Sequence, residues 1–232
     1  MVKRMVLTAL AAGAIAGLFM WAVQAAKVVP LILHAEVYEQ QGEAAHAAVH
    51  SSEAAVPHSH EGDDAWEPAD GFERQAFTLL ADLIVGMGFA FLLVGAIALR
   101  GGEITWRQGV AWGLAGFAAF YAGPSLGLPP ELPGMVAADL PDRQIWWIGT
   151  AVATAGGLAL AIFGRRLLPV AAGVALVLLP HVIGAPGPVP ESGPLPATLA
   201  AEFAVASLVT VQLFWIVLGG LSGYFYDRFG RA

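Results

Sequence analysis

The sequence predicts an all-α integral membrane protein: a single membrane domain over residues 1–232, built as a bundle of about six transmembrane helices with one external loop rich in acidic residues and histidine. Composition is the first reason, because 57% of the residues are hydrophobic and 12% are charged, whereas soluble domains carry about 25% charged residues. The second reason is the recurrence of apolar segments near the length of about 20 residues that a spanning helix needs.

The first predicted span covers residues 5–33. Lys3 and Arg4 precede it, as basic residues precede the core of a secretory signal. The apolar run is much longer than the roughly 7–15 residues of such a core. We therefore interpret this segment as a spanning helix.

The remaining predicted spans are residues 76–99, 106–124, 145–163, 167–183 and 197–221. The third is short, and only Gly164, Arg165 and Arg166 separate the fourth from the fifth. A five-span count is therefore the alternative. Tryptophans near these boundaries, among them Trp146 and Trp215, are interpreted as interfacial anchors.

Basic residues predict the orientation, since Lys and Arg are retained on the cytoplasmic side of a membrane. Six spans with a cytoplasmic N-terminus leave only Lys27, Arg74 and Arg143 elsewhere. This alternation predicts a multi-pass protein of the bacterial inner (plasma) membrane with both termini in the cytoplasm. The basic residues on the inner side are Lys3, Arg4, Arg100, Arg107, Arg165, Arg166, Arg228 and Arg231.

The segment 34–73 is predicted to be an external loop that is mobile in its middle, residues 42–64, where apolar content is too low for independent folding. It contains no Lys or Arg. Imidazole and carboxylate groups together suit a borderline divalent metal, so we interpret the loop as a capture segment; a solvated tether is the alternative. The capture residues would be His46, His50, His58 and His60.

Polar residues inside apolar spans are costly and indicate function. On the predicted topology a vestibule forms near the outer face, beside the loop that contains Glu131, where the following residues meet: Lys27, His34, Asp82, His181 and Glu202. A charge pair that only holds helices together is the alternative for Lys27 and Asp82, and interfacial placement is the alternative for the two histidines. The predicted metal ligands are His34, Glu36, Asp82, Glu131, His181 and Glu202.

Several function classes are excluded by missing motifs. The chain has no phosphate-binding loop and no H-E-x-x-H zinc motif, so we expect neither an enzyme nor ATP hydrolysis. It has no cysteine and a formal charge of -7, which excludes thiolate ligands and disfavours nucleic acid as a partner. No permanently bound cofactor is expected.

Five segments resemble the CbtA family of predicted cobalt transporter subunits. They are residues 29–39, 111–117, 124–134, 143–147 and 179–186, including Gly-Leu-Pro-Pro-Glu-Leu-Pro-Gly at 127–134 and Arg-Gln-Ile-Trp-Trp at 143–147. The resemblance implies transport of Co²⁺, with Ni²⁺ as the alternative ion, together with a small membrane partner of the CbtB type. His34, Glu36, Glu131 and His181 lie inside these segments, whereas Asp82 and Glu202 are candidates by depth alone.

The expected function is therefore that of a membrane subunit of a cobalt uptake system in the lipid bilayer, which captures the ion outside and passes it inward. The alternative is a structural or assembly subunit without a transport path of its own. Self-association into a homo-oligomer is left open.

Overall fold

The computed structural model describes residues 1–50, 68–187 and 195–231, and the side chains of residues 42–50 are not described. Every regular element in these ranges is helical. The helix Trp106–Phe117 continues through a π-helical turn, Ala118–Ala122, into a short α-helical turn, Gly123–Ser125. The seven helices are α1 (Val2–Lys27), α2 (Val29–His50), α3 (Phe72–Arg100), α4 (Trp106–Phe117), α5 (Leu140–Phe163), α6 (Leu167–Ile183) and α7 (Ala197–Gly230).

Four helices, α1, α3, α5 and α7, are long and apolar enough to cross a membrane, and α6 is a shorter apolar helix. Their outward faces carry large apolar side chains, for example Val152 at 67% exposure and Ile162 at 62%. Such surfaces require lipid instead of water as their solvent. The predicted all-α membrane class is confirmed at this level.

The first helix ends earlier than the predicted span 5–33. α1 stops at Lys27, and α2 begins at Val29. Pro30 is the physical reason, because it has no N–H to donate to the carbonyl four residues earlier. Residues 34–50, predicted as part of the external loop, continue as α2, whose alanine, glutamate and glutamine residues favour helix; residues 51–67 lie outside the described ranges.

Glycines bring the helices together in three antiparallel pairs. In the α1–α3 pair, a Cβ on Gly17 would lie 2.5 Å from the Asp82 carbonyl oxygen. In the α4–α7 pair, Gly109 and Gly219 face each other so closely that a Cβ on either would overlap the other's carbonyl oxygen. Gly157 and Gly173 make the same approach between α5 and α6, as small residues do where spanning helices meet.

α7 lies at the centre of the bundle, in contact with α1, α3 and α4. Trp215 is 2% exposed in its middle, with Phe89 and Phe120 as ring neighbours. The interpretation of Trp215 as an interfacial anchor is therefore wrong. Its indole instead fills the space left open by Gly116 on α4.

The two ends of the chain meet at one end of the bundle. Arg4 Nε donates to the Tyr226 carbonyl oxygen at 2.6 Å, and the guanidinium lies 3.7 Å from the Tyr226 ring centroid. At the opposite end lie the break between α1 and α2, the start of α3, the connection between α4 and α5, and the start of α7. We call this opposite end the loop end.

Candidate functional site

The connection from α4 to α5 is shaped by its prolines. Pro129 and Pro130 restrict the backbone before Glu131. Pro133 and Gly134 then form a tight turn in which Met135 N donates to the Leu132 carbonyl at 3.2 Å and Gly134 takes a φ of 79°. A positive φ at the third position of a turn after proline is the type II geometry that favours glycine. This turn holds Glu131 beside the first turns of α5.

Glu131 forms an ion pair with Arg143. The Arg143 Nη2 to Glu131 Oε2 distance is 2.5 Å, and the side chains are 30% and 19% exposed, respectively. The pair joins the two most distinctive resembling segments, 127–134 and 143–147. A charge-assisted bond that is this sheltered is stronger than an ordinary surface pair.

Trp146 links the α4–α5 connection to α6. A Cβ on Gly127 would lie 2.7 Å from Trp146 Cζ2 and 2.8 Å from the Ala185 Cβ, so the missing side chain is what lets the indole fit. On its other side Trp146 meets His181 edge-on, with ring centroids 5.9 Å apart. Three resembling segments therefore meet around one indole ring.

α2 supplies the fourth segment at this end. Ala35 on α2 and Leu132 of the connection are buried in one apolar cluster with Leu199 and Phe203 of α7. Near this cluster Glu36 pairs with both terminal nitrogens of Arg74 on α3; the Nη1–Oε2 distance is 3.3 Å. Four of the five resembling segments thus meet at the loop end, and only residues 111–117 lie apart, packed against α7.

A cleft of about 620 Å³ opens beside the Glu131–Arg143 pair. Its polar wall contains Tyr121 and Ser125 next to the π-helical turn and Gln144 on α5. A second groove of about 930 Å³ between α3, α4 and α5 is lined mainly by apolar side chains. Ions need oxygen or nitrogen ligands, so the cleft at the loop end is the candidate site.

The predicted ligands are only partly brought together. Glu131 contacts Arg143, and His181 contacts Trp146; both of these partners lie in the first turns of α5. His34 is exposed beside Tyr38, with ring centroids 5.5 Å apart, and Glu202 is exposed on α7. Among the described residues no group of three or more His, Asp or Glu side chains could hold a metal ion. The ligand set therefore stays a prediction.

Asp82 lies in the α1–α3 interface, where its Oδ1 accepts a hydrogen bond from Gln24 Nε2 at 3.3 Å. Its Oδ2 is buried without a partner in the described part of the chain. Lys27 is exposed, and the described ion pairs do not include it. Of the two interpretations of Asp82, the helix-holding pair with Lys27 is not the one the structure forms.

The histidine-rich segment cannot be placed. The side chains of His46 and His50, near the end of α2, and the whole of His58 and His60 lie outside the described residues. Their role as metal-capture residues stays a prediction.

Arg74 and Arg143 were missing from the predicted site. The sequence carried a signal for both, because they and Lys27 are the only basic residues that the predicted topology leaves on the outer side. An arginine retained there needs a carboxylate partner, and both partners, Glu36 and Glu131, belong to the predicted ligands.

Comparison with known proteins gives one match. A family model described as "Probable cobalt transporter subunit (CbtA)" matches residues 2–227, nearly the full length. No curated protein and no solved structure matches the chain.

Proposed function

We propose, from the premise that this chain belongs to the CbtA family of probable cobalt transporter subunits, that it captures cobalt at the loop end and passes it across the membrane without hydrolysing ATP itself. The observation that supports this proposal most directly is the convergence of four family-like segments on the Glu131–Arg143 cleft. Packing alone does not require so many polar residues at one end of a membrane bundle.

The Glu131–Arg143 pair suits reversible capture. With no metal present, the guanidinium neutralises a sheltered carboxylate that would otherwise be costly. A divalent ion competes for the same oxygens with twice the charge of the guanidinium. His181 is near, because it contacts the ring of Trp146, which lies on the same helix as Arg143. We propose that cobalt displaces Arg143 from Glu131, with further ligands from His34, Glu36, Asp82, Glu202 or the histidine-rich loop.

Orientation is the second part of the proposal. The end with Arg4 and Tyr226 also carries Arg100, Arg107, Arg165 and Arg166 near helix termini, which supports its placement in the cytoplasm. Residues 106–125 amount to about 30 Å of helix rise and complete a third crossing. With the 17-residue α6 as a fifth, the chain crosses six times and both termini are cytoplasmic.

The membrane potential is sufficient to drive inward movement. Each charge gains about 2.3 kcal/mol per 100 mV, so a dication gains about 4.6 kcal/mol, which supports roughly thousandfold accumulation. A potential-driven subunit, with a small CbtB-type membrane partner, therefore needs no nucleotide site.

A structural subunit is the second candidate. The observation that favours it is that two predicted ligands, Glu36 and Glu131, are already paired with arginines that link separate segments. In that role the pairs would hold the loop end together, and the ion would pass through another chain.

Cobalt uptake by the purified protein distinguishes the transport proposal from the structural one. We expect proteoliposomes containing the chain, with and without the small partner, to accumulate cobalt when an inside-negative potassium diffusion potential is applied. Protein-free vesicles are the control for leak. Absence of potential-dependent uptake in both preparations would reject the transport proposal and leave the structural one.

A further inference from the structure

Four buried polar atoms form a line along one face of α5. They are Arg143 Nε, Trp146 Nε1, Thr150 Oγ1 and Thr154 Oγ1, and none has a hydrogen-bond partner among the described residues. The spacing of three, four and four residues keeps them on one stripe of the helix. Eleven residues correspond to about 16 Å of rise, so the line runs from the cleft towards the middle of the membrane.

The two threonines are the informative members. Thr150 is 0% exposed and Thr154 is 3% exposed. A threonine in a spanning helix ordinarily donates its hydroxyl to a carbonyl of the preceding turn, as Thr78 does to the Arg74 carbonyl at 2.8 Å. Thr150 and Thr154 make no such bond.

The main chain that faces Thr154 is not regular α-helix. Thr154 Oγ1 lies 3.0 Å from the position that a Cβ on Gly123 would occupy, so it faces the end of the π-helical turn. Pro124 follows directly, and its missing N–H leaves a carbonyl of that turn without its usual donor. π-helical turns occur often at functional sites.

A similar defect lies on the α6 side. Gly157 and Gly173 are in contact, and seven residues along each antiparallel helix, about 10 Å, bring Thr150 and the buried Pro180 to the same level. Pro180 leaves the Leu176 carbonyl without a main-chain donor. Inside a membrane, non-helical hydrogen bonding is tolerated where it is buried in protein or lines a water-filled space.

Unpartnered polar atoms at this depth are destabilising unless water or an ion satisfies them. We propose that this stripe of α5 borders a hydrated passage from the cleft at Arg143 to the level of Thr154, and that Thr150 and Thr154 offer hydroxyl oxygens to the ion in transit. Hydroxyl oxygens are weak ligands, as release from a path requires. The identity of the ion rests on the proposed function; the hydrated passage does not.

Thiol accessibility tests the passage without relying on transport. The chain has no cysteine, so Thr150→Cys and Thr154→Cys can be probed in membranes with a small hydrophilic methanethiosulfonate reagent. Thr8→Cys is the control, since Thr8 is 0% exposed with an unpartnered hydroxyl and no other unpartnered polar atom of α1 lies within four residues of it. We expect modification of both α5 thiols at least tenfold faster than that of the Thr8 thiol. Equal rates would overturn the passage.

Uptake by hydroxyl variants separates this inference from the proposed function. Thr154→Val should lower the maximal rate of cobalt uptake severalfold, and Thr154→Ser, which keeps the hydroxyl, should restore it. Normal uptake by Thr154→Val together with unreactive α5 thiols would overturn the passage while the cobalt proposal stands. Reactive thiols in a protein that carries no cobalt would support the passage and reject the cobalt proposal.

Discussion

At the scale of single residues, the Glu131–Arg143 pair is the feature that both proposed functions must explain. A carboxylate 19% exposed is sheltered enough that its partner determines its behaviour. As a metal ligand, Glu131 exchanges Arg143 for the ion; as a structural group, it keeps Arg143 permanently.

Glu131→Gln removes the charge with little change in shape. We expect the cobalt concentration for half-maximal uptake to rise at least tenfold, which corresponds to about 1.4 kcal/mol of lost binding, while membrane levels stay normal. His181→Ala should act in the same direction. Radioactive cobalt uptake measured over a range of concentrations checks both, with Asp227→Asn, which removes an ion pair with Arg231 at the opposite end of the bundle, as the control.

Exchanging the partners distinguishes a ligand from a structural group. The double variant Glu131→Arg with Arg143→Glu keeps an ion pair between the connection and α5. If the pair is only structural, uptake should return to the unsubstituted level. We expect assembly to recover and cobalt capture to stay impaired, because the carboxylate then lies on α5 instead of on the connection that holds Glu131.

At the scale of helices, close contacts between glycines decide which elements are neighbours. The α4–α7 pair has such contacts at two successive turns, where Gly109 meets Gly219 and Gly113 meets the Trp215 carbonyl. Because lipid tails are as apolar as most side chains of these helices, close approach of the helices replaces the hydrophobic effect as the main source of their association.

Gly219→Val should force α4 and α7 apart, because its Cβ would overlap the Gly109 carbonyl oxygen. Overpacking of this kind costs about 1–3 kcal/mol. We expect a lower midpoint of thermal unfolding in detergent and reduced membrane levels. Gly95→Ala on α3 is the matched control, since nothing lies within 4 Å of the added methyl group, and an equal loss there would contradict the packing argument.

At the scale of the whole molecule, the contact of Arg4 with Tyr226 places both chain ends on one side of the bundle. An even number of crossings follows if the ends share a face. The side of the membrane on which they lie depends on the basic residues and remains a proposal.

A cysteine placed at Ser51 tests the orientation in a protein that has none of its own. We expect it to react with a membrane-impermeant maleimide in intact cells, since residues 34–73 are proposed to be external. A cysteine at Arg166 should react only after permeabilisation. The reverse pattern would exclude cytoplasmic termini.

Deletion of residues 42–64 tests the capture segment. If His46, His50, His58 and His60 only gather metal, uptake should fall severalfold at scarce cobalt and be nearly normal at saturating cobalt. Complete loss at saturation would show that the segment belongs to the path. A deletion variant that keeps these four histidines on a shortened segment provides the control.

The sequence by itself determined the membrane class, the main apolar helices and the segments that identify the family. The class and the helices follow from composition and local hydropathy, which act within one helix and do not depend on its neighbours, whereas the family segments are recognised by resemblance. Glu131 and His181, two of the predicted ligands, belong to segments that meet at the loop end, and their role as ligands stays a prediction.

Only the tertiary structure decided which polar groups share a site. Arg143 and Arg74 bind carboxylates on other elements, Trp215 lies in the core instead of at an interface, and α1 breaks before its apolar run ends. That four polar atoms along α5 lack hydrogen-bond partners is known only from the positions of the neighbouring helices. The reason is physical. In a lipid solvent every spanning segment is apolar, so hydropathy cannot specify which helices are neighbours. Close approach of glycines and the pairing of sheltered charges specify the neighbours instead.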